Sequence, residues 1–275
     1  MHKLLVVLVM LLGFGGVGRA EELILSAPPR ESAEAGKELY APLAALLSEV
    51  LGRPVRYAHP DNWFQYQQRM RKGDLDIVFD GPHFVAWRIA HLDHHVLVKL
   101  PGKLQFHLLT RAGNAHIEGP DDLVGLAICG ISPPNLSTLS ILAYYDNPVR
   151  QPRIKGIRGG MGKVLQAGLH DAKCDAFVLR TGFYEKKVKP EHKAQMRILY
   201  TSPAMPNQAL TVAGHRISAA ERETLREWLT VRSEGRQALA GILKRFAPRA
   251  EGFIATGDKE YRGYNRLLEG VIFGW

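Results

Sequence analysis

From residue 21 onward, short apolar runs alternate with amphipathic stretches. "ELILSA" is a continuous apolar run of the kind found in strands buried on both faces. "AEAGKELYAPLAALLSEVLG" places Tyr40, Leu43, Leu47, Val50 and Leu51 at helical spacing and stops at Gly52. Pro42 interrupts it, so the helix is predicted to begin near Tyr40 with the proline in its first turn. "PVRYAH" reads as a second strand, "DNWFQYQQRMRKG" as a helix running from an Asp61 cap to Gly73, "LDIVF" as a third strand, and "GPHFVAWRIAH" as the next helix. A βαβαβ order of this kind predicts a parallel sheet covered by helices.

"KLQFHLLTRAG" is predicted as one longer strand leading out of that unit. A second alternating unit follows: "LAICG", a helix after residue 137, "RIKGI", the helix "GMGKVLQAGLH", "CDAFVL", a short helix near "GFYEKK", and "QMRILY". "SPAMPN" is a proline-rich break, after which the strand "QALTVAG" is expected to rejoin the first unit. The C-terminal part is helical. "SAAERETLREWL" opens on a Ser218–Glu221 capping box and buries Leu225, Trp228 and Leu229, and "RQALAGILKRF" aligns Leu239, Ile242, Leu243 and Phe246. The pattern predicts two α/β lobes, each a mostly parallel sheet flanked by helices. The first comprises residues 21–108 and 206–275, the second 109–205, with crossings near 108 and 206.

The chain opens differently. Lys3, the apolar stretch Leu4 to Leu12, and the small residues Gly18 and Ala20 form a secretory leader, expected to be cut after Ala20 and so set apart from the fold. No later stretch reaches the ~20 apolar residues of a spanning helix. No cysteine lies near the cut, so an exported, periplasmic protein without a lipid anchor is expected. Of 36 Lys and Arg, two fall in the leader. Against 27 Asp and Glu this gives the remainder a net charge of about +7. Such a balance favours anionic ligands or membranes. The basic residues are dispersed, without the basic stripe and aromatic platforms that nucleic acid requires. An oxidising compartment permits a disulfide between Cys129 and Cys174. Their placement at the end of one parallel strand and the start of another predicts two buried free thiols instead.

Few stretches carry chemistry. In "ISPPNLSTLS", Pro133 and Pro134 end a strand, and Asn135, Ser137, Thr138 and Ser140 crowd the start of a helix. A helix N-terminus has unpaired N–H groups and partial positive charge, so the stretch is either an ordinary cap or an anion site. "GIRGGMGKV" is not a phosphate-binding P-loop. Ile157 stands where the first glycine belongs and Val164 where the metal-binding hydroxyl belongs. No His-Glu-x-x-His, Cys-x-x-Cys or Gly-x-Ser-x-Gly occurs, and no nucleophile–base pair, metal site or cofactor site is predicted. "HLDHH" (His91, Asp93, His94, His95) matches no metal signature and reads as a solvated turn at a helix end. "DGPHFVAW" is different: Asp80, Gly81, Pro82 and His83 pass straight from strand to helix at the carboxyl end of a parallel sheet, so the stretch is either a ligand-binding strand end, as in open α/β folds, or a tight turn that uses Gly and Pro for geometry alone.

Taken together, "LILSAPPRESAEAGKELYAPLAALLSEVLGRPV", "MRKGDLDIVFDGPHFVAW", "GLAICGISPPNLSTLS", "LQAGLHDAKCDAFVL" and "YTSPAMPNQALTV" resemble, in order and spacing, the periplasmic phosphonate-type substrate-binding proteins of ABC transporters. The most specific elements are Tyr40-x-Pro42-Leu43, Gly73 to Asp76, Gly81-Pro82, and Ser202-Pro203-x-x-Pro206. The resemblance implies a two-lobed, type II periplasmic-binding-protein fold with two hinge crossings. It also implies a non-catalytic role: delivery of a small, phosphonate- or phosphate-like anion to an ABC permease, by a monomer engaging that permease transiently. The alternatives are a stand-alone sensor lobe for a membrane kinase, or a different ligand such as a metal or small metabolite. By the resemblance, the oxyanion is held at a helix start in the second lobe, where Ser137 and Thr138 are the counterparts beside Asn135. The family pattern there is Asp-Pro-x-Ser-Thr-Ser-Gly, and this chain lacks the aspartate and the glycine. Arg30 and Arg180 are candidates for charge-assisted bonds, Trp63 and His83 for the wall, and Asp80 and Tyr40 complete the candidate set.

Overall fold

The computed structural model describes residues 21–270, and the leader expected over residues 1–20 lies outside the described residues. The first unit begins with β1 (Leu23–Ser26), α1 (Ala33–Leu51), β2 (Val55–Tyr57), α2 (Trp63–Lys72) and β3 (Ile77–Asp80). β1 pairs in parallel with both β2 and β3. Ile77 and Phe79 face a core shared with Leu43 and Leu47 of α1, whereas Val78 faces Tyr66 and Met70 of α2. Both faces are therefore covered, which is why the strand sequence is apolar throughout rather than alternating. α3 (Pro82–His91), β4 (His94–Lys99) and β5 (Lys103–Leu104) follow.

The second unit contains β6 (Phe106–Arg111), β7 (Ala127–Gly130), α4 (Leu136–Tyr145), β8 (Arg153–Gly156), α5 (Met161–Leu165), β9 (Ala176–Arg180), α6 (Thr181–Lys187), α7 (Pro190–Lys193) and β10 (Met196–Thr201). Its strand order is β10-β6-β9-β7-β8, with β7 parallel to β8 and β9 and with β6 antiparallel to β9 and β10. β11 (Met205–Pro206) pairs with β5, so the outgoing and returning crossings lie side by side. β12 (Ala209–Ala213) then inserts between β3 and β4, antiparallel to both. α8 (Ala219–Thr230), α9 (Ser233–Phe246) and β13 (Ile254–Ala255) close the first unit, giving the sheet order β13-β4-β12-β3-β1-β2. The Ser218–Glu221 capping box opens α8 as the sequence predicts.

Several boundaries differ from the sequence reading. α1 starts seven residues before Tyr40, with the Ser32 hydroxyl accepting from the Ala35 N–H at 3.3 Å. Pro42 is accommodated mid-helix because it lies on the exposed face, where water can satisfy the Glu38 carbonyl that loses its N–H partner. The cap of α2 is Asn62, whose side chain accepts from the Gln65 N–H at 2.9 Å. Asp61 instead takes the Gln65 side chain at 2.9 Å. "KLQFHLLTRAG" divides into β5 and β6, because Gln105 turns its carbonyl to the Thr181 N–H across the second unit.

The cysteines require a correction. Cys129 and Cys174 form a disulfide, with Cα atoms 5.7 Å apart, and are not free thiols. Cys174 lies ahead of β9 rather than in it, where the chain leaving α5 and the following π-helical turn crosses the sheet face toward which Cys129 points. Both sulfurs share an apolar cluster with Val164, Leu169 and Phe177. Strand patterns alone place the two cysteines on parallel strands and carry no sign of this crossing.

Candidate ligand-binding cleft

The carboxyl ends of the parallel strands of both sheets converge on one cavity of about 140 Å³. Arg30 arrives from the turn after β1, Gly81 and His83 from the end of β3, and Arg180 from the last position of β9. Pro134, Asn135 and Leu136 come from the turn between β7 and α4, and Gln208 from the approach to β12. Ligands of open α/β sheets bind at just such strand ends.

Asp80 organises the charge. It is fully buried at the end of β3 and accepts from Arg88 Nη1 at 2.9 Å, Arg30 Nη2 at 3.3 Å and the Gly81 N–H at 2.8 Å, and from the Tyr66 hydroxyl. Arg88 is itself completely buried. Burial works against its charge, but Tyr66 and Asp80 outweigh burial and raise its pKa. One carboxylate thus faces two guanidinium groups, so this end of the sheet keeps a surplus positive charge. Arg30 Nη1 is buried and has no hydrogen-bond partner among the described residues. Arg180 adds a second positive wall. Among the described residues its side chain makes no ion pair or hydrogen bond, and burial lowers its pKa below the usual guanidinium value.

His83 joins the two units. Its Nε2 donates to the Pro134 carbonyl at 2.9 Å, which fixes Nδ1 as an unprotonated acceptor. Burial lowers the imidazole to about 4 despite the opposing pull of Asp80. Nδ1 of His83 and Oε1 of Gln208 are buried without partners among the described residues. The apolar wall is built by Trp63 stacked on Phe84 at 6.1 Å and 17°, with Tyr66 edge-on to both. Leu104 and Phe106 line the cavity from the crossing side.

Of the nine residues singled out in the sequence, Arg30, Trp63, His83, Asn135 and Arg180 line the cavity. Asp80 stands behind Arg30 as its counter-charge. Tyr40 is buried away from the cavity, stacked on Tyr57 at 4.9 Å, with its hydroxyl unpartnered among the described residues. Ser137 and Thr138 are buried in the first turn of α4 behind the wall. Ser137 Oγ donates to Asn135 Oδ1 at 2.7 Å, and Thr138 Oγ1 donates to the Ile131 carbonyl. Thr138 also explains Gly130, since a Cβ there would meet its hydroxyl at 2.7 Å. Asn135, rather than either hydroxyl, is the cap of α4: its side chain accepts from the Ser137 N–H at 3.1 Å. Gln208, Leu104 and Phe106 escaped the sequence reading. Gln208 lies in the quoted "SPAMPNQALTV" run, but nothing in a strand pattern marks the residue just before a strand as facing a cleft.

The histidine-rich turn lies elsewhere. His91 pairs with Glu269 at 2.7 Å and His95 with Asp258 at 2.9 Å, whereas His94 is buried, 3.3 Å from the Thr211 hydroxyl, rather than solvated. Among the described residues no group of three or more His, Cys, Asp or Glu is placed to hold a metal ion. Nor is any helix among them long and apolar enough to cross a membrane.

Two α/β lobes joined by paired crossings, with unpaired polar groups facing the cleft between them, define a protein of the periplasmic-binding class. The chain belongs to the family of periplasmic phosphonate-binding proteins of ABC transporters: residues 25–261 match the family described as "ABC transporter, phosphonate, periplasmic substrate-binding protein". That family is the substrate-binding component of a transporter and not an enzyme. No curated protein matches the sequence. Among solved structures, the chain is similar to XAC2383 from Xanthomonas citri bound to ATP, with 16% identity, TM-score 0.68, and 91% of this chain and 96% of that one covered. It is similar to PhnD1 from Prochlorococcus marinus in complex with methylphosphonate, with 17% identity, TM-score 0.59, and 90% and 97% covered. A third is a binding component of an ABC phosphonate transporter from Pseudomonas aeruginosa, with 15% identity, TM-score 0.56, and 88% and 83% covered. At these identities the likeness is one of fold.

Proposed function

We propose that the mature chain, cut after Ala20, is a monomeric periplasmic receptor. It captures a small oxyanion of the phosphonate or phosphate class and passes it transiently to an ABC permease. The lobes are residues 21–108 with 206–275 and residues 109–205, and they close on the ligand about the two crossings. One observation carries the reading: Arg30 and Arg180 line a single cavity, and the carboxylate behind Arg30, Asp80, is already shared with Arg88. An oxyanion offers acceptors to Arg30 Nη1 and to the Arg180 guanidinium. The start of α4, with Asn135 and Leu136 in the wall, adds the partial positive charge of a helix N-terminus.

Arg180 gives the test. Its side chain has no partner among the described residues, so Arg180→Gln removes a ligand contact without breaking a protein one. A hydrogen bond to a charged group contributes about 1.5–3 kcal/mol, so anion affinity is expected to fall roughly 10- to 150-fold with the urea midpoint unchanged. Titration calorimetry on parent and variant reads this. Undiminished affinity in the variant would exclude Arg180 from the site and leave the anion reading without its main support.

A further inference from the structure

The cleft continues past the inner cavity. Arg180 also belongs to the wall of a second, wider groove of about 800 Å³, which lies between α6 and the segment ending α9. Arg180, Lys186, Lys187, Arg245 and Arg249 line it, and no acidic side chain does. Arg245 is compensated by Glu31 at 3.2 Å. Among the described residues the side chains of Arg180, Lys186, Lys187 and Arg249 make no ion pair or hydrogen bond. In a chain whose acidic and basic residues are otherwise interspersed, four uncompensated cations around one concave surface raise the local potential and repel one another, and a bound anion would relieve this. The groove is not uniformly polar: Met161, Phe183 and Phe246 supply apolar surface between the charges.

The helix gives the spacing. Lys186 and Lys187 follow Arg180 along α6 by six and seven residues, which at the rise of an α-helix places their backbones about 9–10 Å beyond it. Taking the anion reading above as its basis, we propose that the ligand is an elongated organic polyanion. Its first anionic group lies in the inner cavity at Arg30 and Arg180. An apolar spacer crosses Phe183 and Phe246, and a second anionic group lies among Lys186, Lys187 and Arg249. A short, singly headed phosphonate fills only the inner part of this site.

Two matched probes test the proposal by calorimetry: hexylphosphonate, with one anionic head, and hexane-1,6-diphosphonate, with the same spacer and a head at each end. The diphosphonate is expected to bind at least tenfold tighter, and the ratio to shrink between 50 and 300 mM salt. In the Lys186→Gln, Lys187→Gln, Arg249→Gln triple variant the ratio is expected to drop below twofold. Circular dichroism checks that this variant, altered only at exposed positions, is folded. If hexylphosphonate binds and the diphosphonate binds no tighter, the second-anion site is overturned while the anion reading stands. A preference that survives in the triple variant overturns the assignment of these three residues. If neither probe binds, the inner-site reading and this one fall together.

Discussion

At the scale of single residues, the sequence marked which side chains could matter better than it marked what they do. Arg30, Trp63, His83, Asn135 and Arg180 were legible because each lies at the end of a strand, in the turn after one, or at the start of a helix, and chain ends of that kind meet at the carboxyl edge of a parallel sheet. Asp80 was legible by the same logic, but its role was not. Its partners Arg88 and Tyr66 sit inside helices, where their sequence context is that of any amphipathic face. His83 carries a prediction of its own. Buried and depressed to about 4, against about 6.5 in the unfolded chain, it takes up its proton in the unfolded state first as pH falls. The contribution of His83 to stability is therefore complete above about pH 6.5 and is lost progressively toward pH 4, a loss of about 2–3 kcal/mol. His94, also depressed by burial, acts in the same direction. Urea unfolding at pH 7 and pH 4.5 should show a smaller pH difference in His83→Gln than in the parent. Equal differences would mean that His83 is not held neutral in the fold.

At the scale of elements, apolar periodicity fixed the order of strands and helices, while caps and crossings eluded it. α1 extends further back than Pro42 suggested because the proline faces water. The sequence pattern carries the helix on to His170 and starts the strand at Cys174, whereas α5 ends at Leu165, a π-helical turn follows, and the segment ahead of β9 brings Cys174 onto Cys129. A disulfide closing 45 residues constrains the unfolded chain by roughly 4 kcal/mol in the loop-entropy account. Replacing both cysteines with alanine should lower unfolding free energy by up to about that amount, measured by urea denaturation. A double variant as stable as the parent, with no reductant effect on either, would contradict the bond. The start of α4 gives the other prediction at this scale. Ser137 and Thr138 spend their hydroxyls on Asn135 and the Ile131 carbonyl, so changing both to alanine should cost about 1–3 kcal/mol of stability. Anion affinity should change less than threefold in folded protein, because Asn135 and Leu136 and not these hydroxyls line the cavity. A hundredfold loss of binding with stability intact would place the hydroxyls in direct contact with the ligand.

At the scale of the whole molecule, the two-lobed plan was legible because its signature, a long excursion that leaves one α/β unit and returns to it, survives in the order of patterns. The strand β12 that rejoins the first sheet is what makes that lobe discontinuous, and its position between β3 and β4 brings Gln208 to the cleft. The sequence could not give the balance of charge there. Composition shows a modest excess of basic residues, whereas the fold sets Arg30 and Arg88 on one buried carboxylate and brings Arg180 to the same cavity as Arg30. The proposed anion binding rests on that surplus charge. Its most direct test is a calorimetric titration of the mature chain with a panel of alkyl and aryl phosphonates and inorganic phosphate, each organic anion paired with its uncharged diester. The expected result is saturable one-to-one binding of at least one oxyanion, with no detectable heat from its neutral ester. Binding confined to the neutral esters or to cationic ligands, or equal affinity for an anion and its ester, would contradict it.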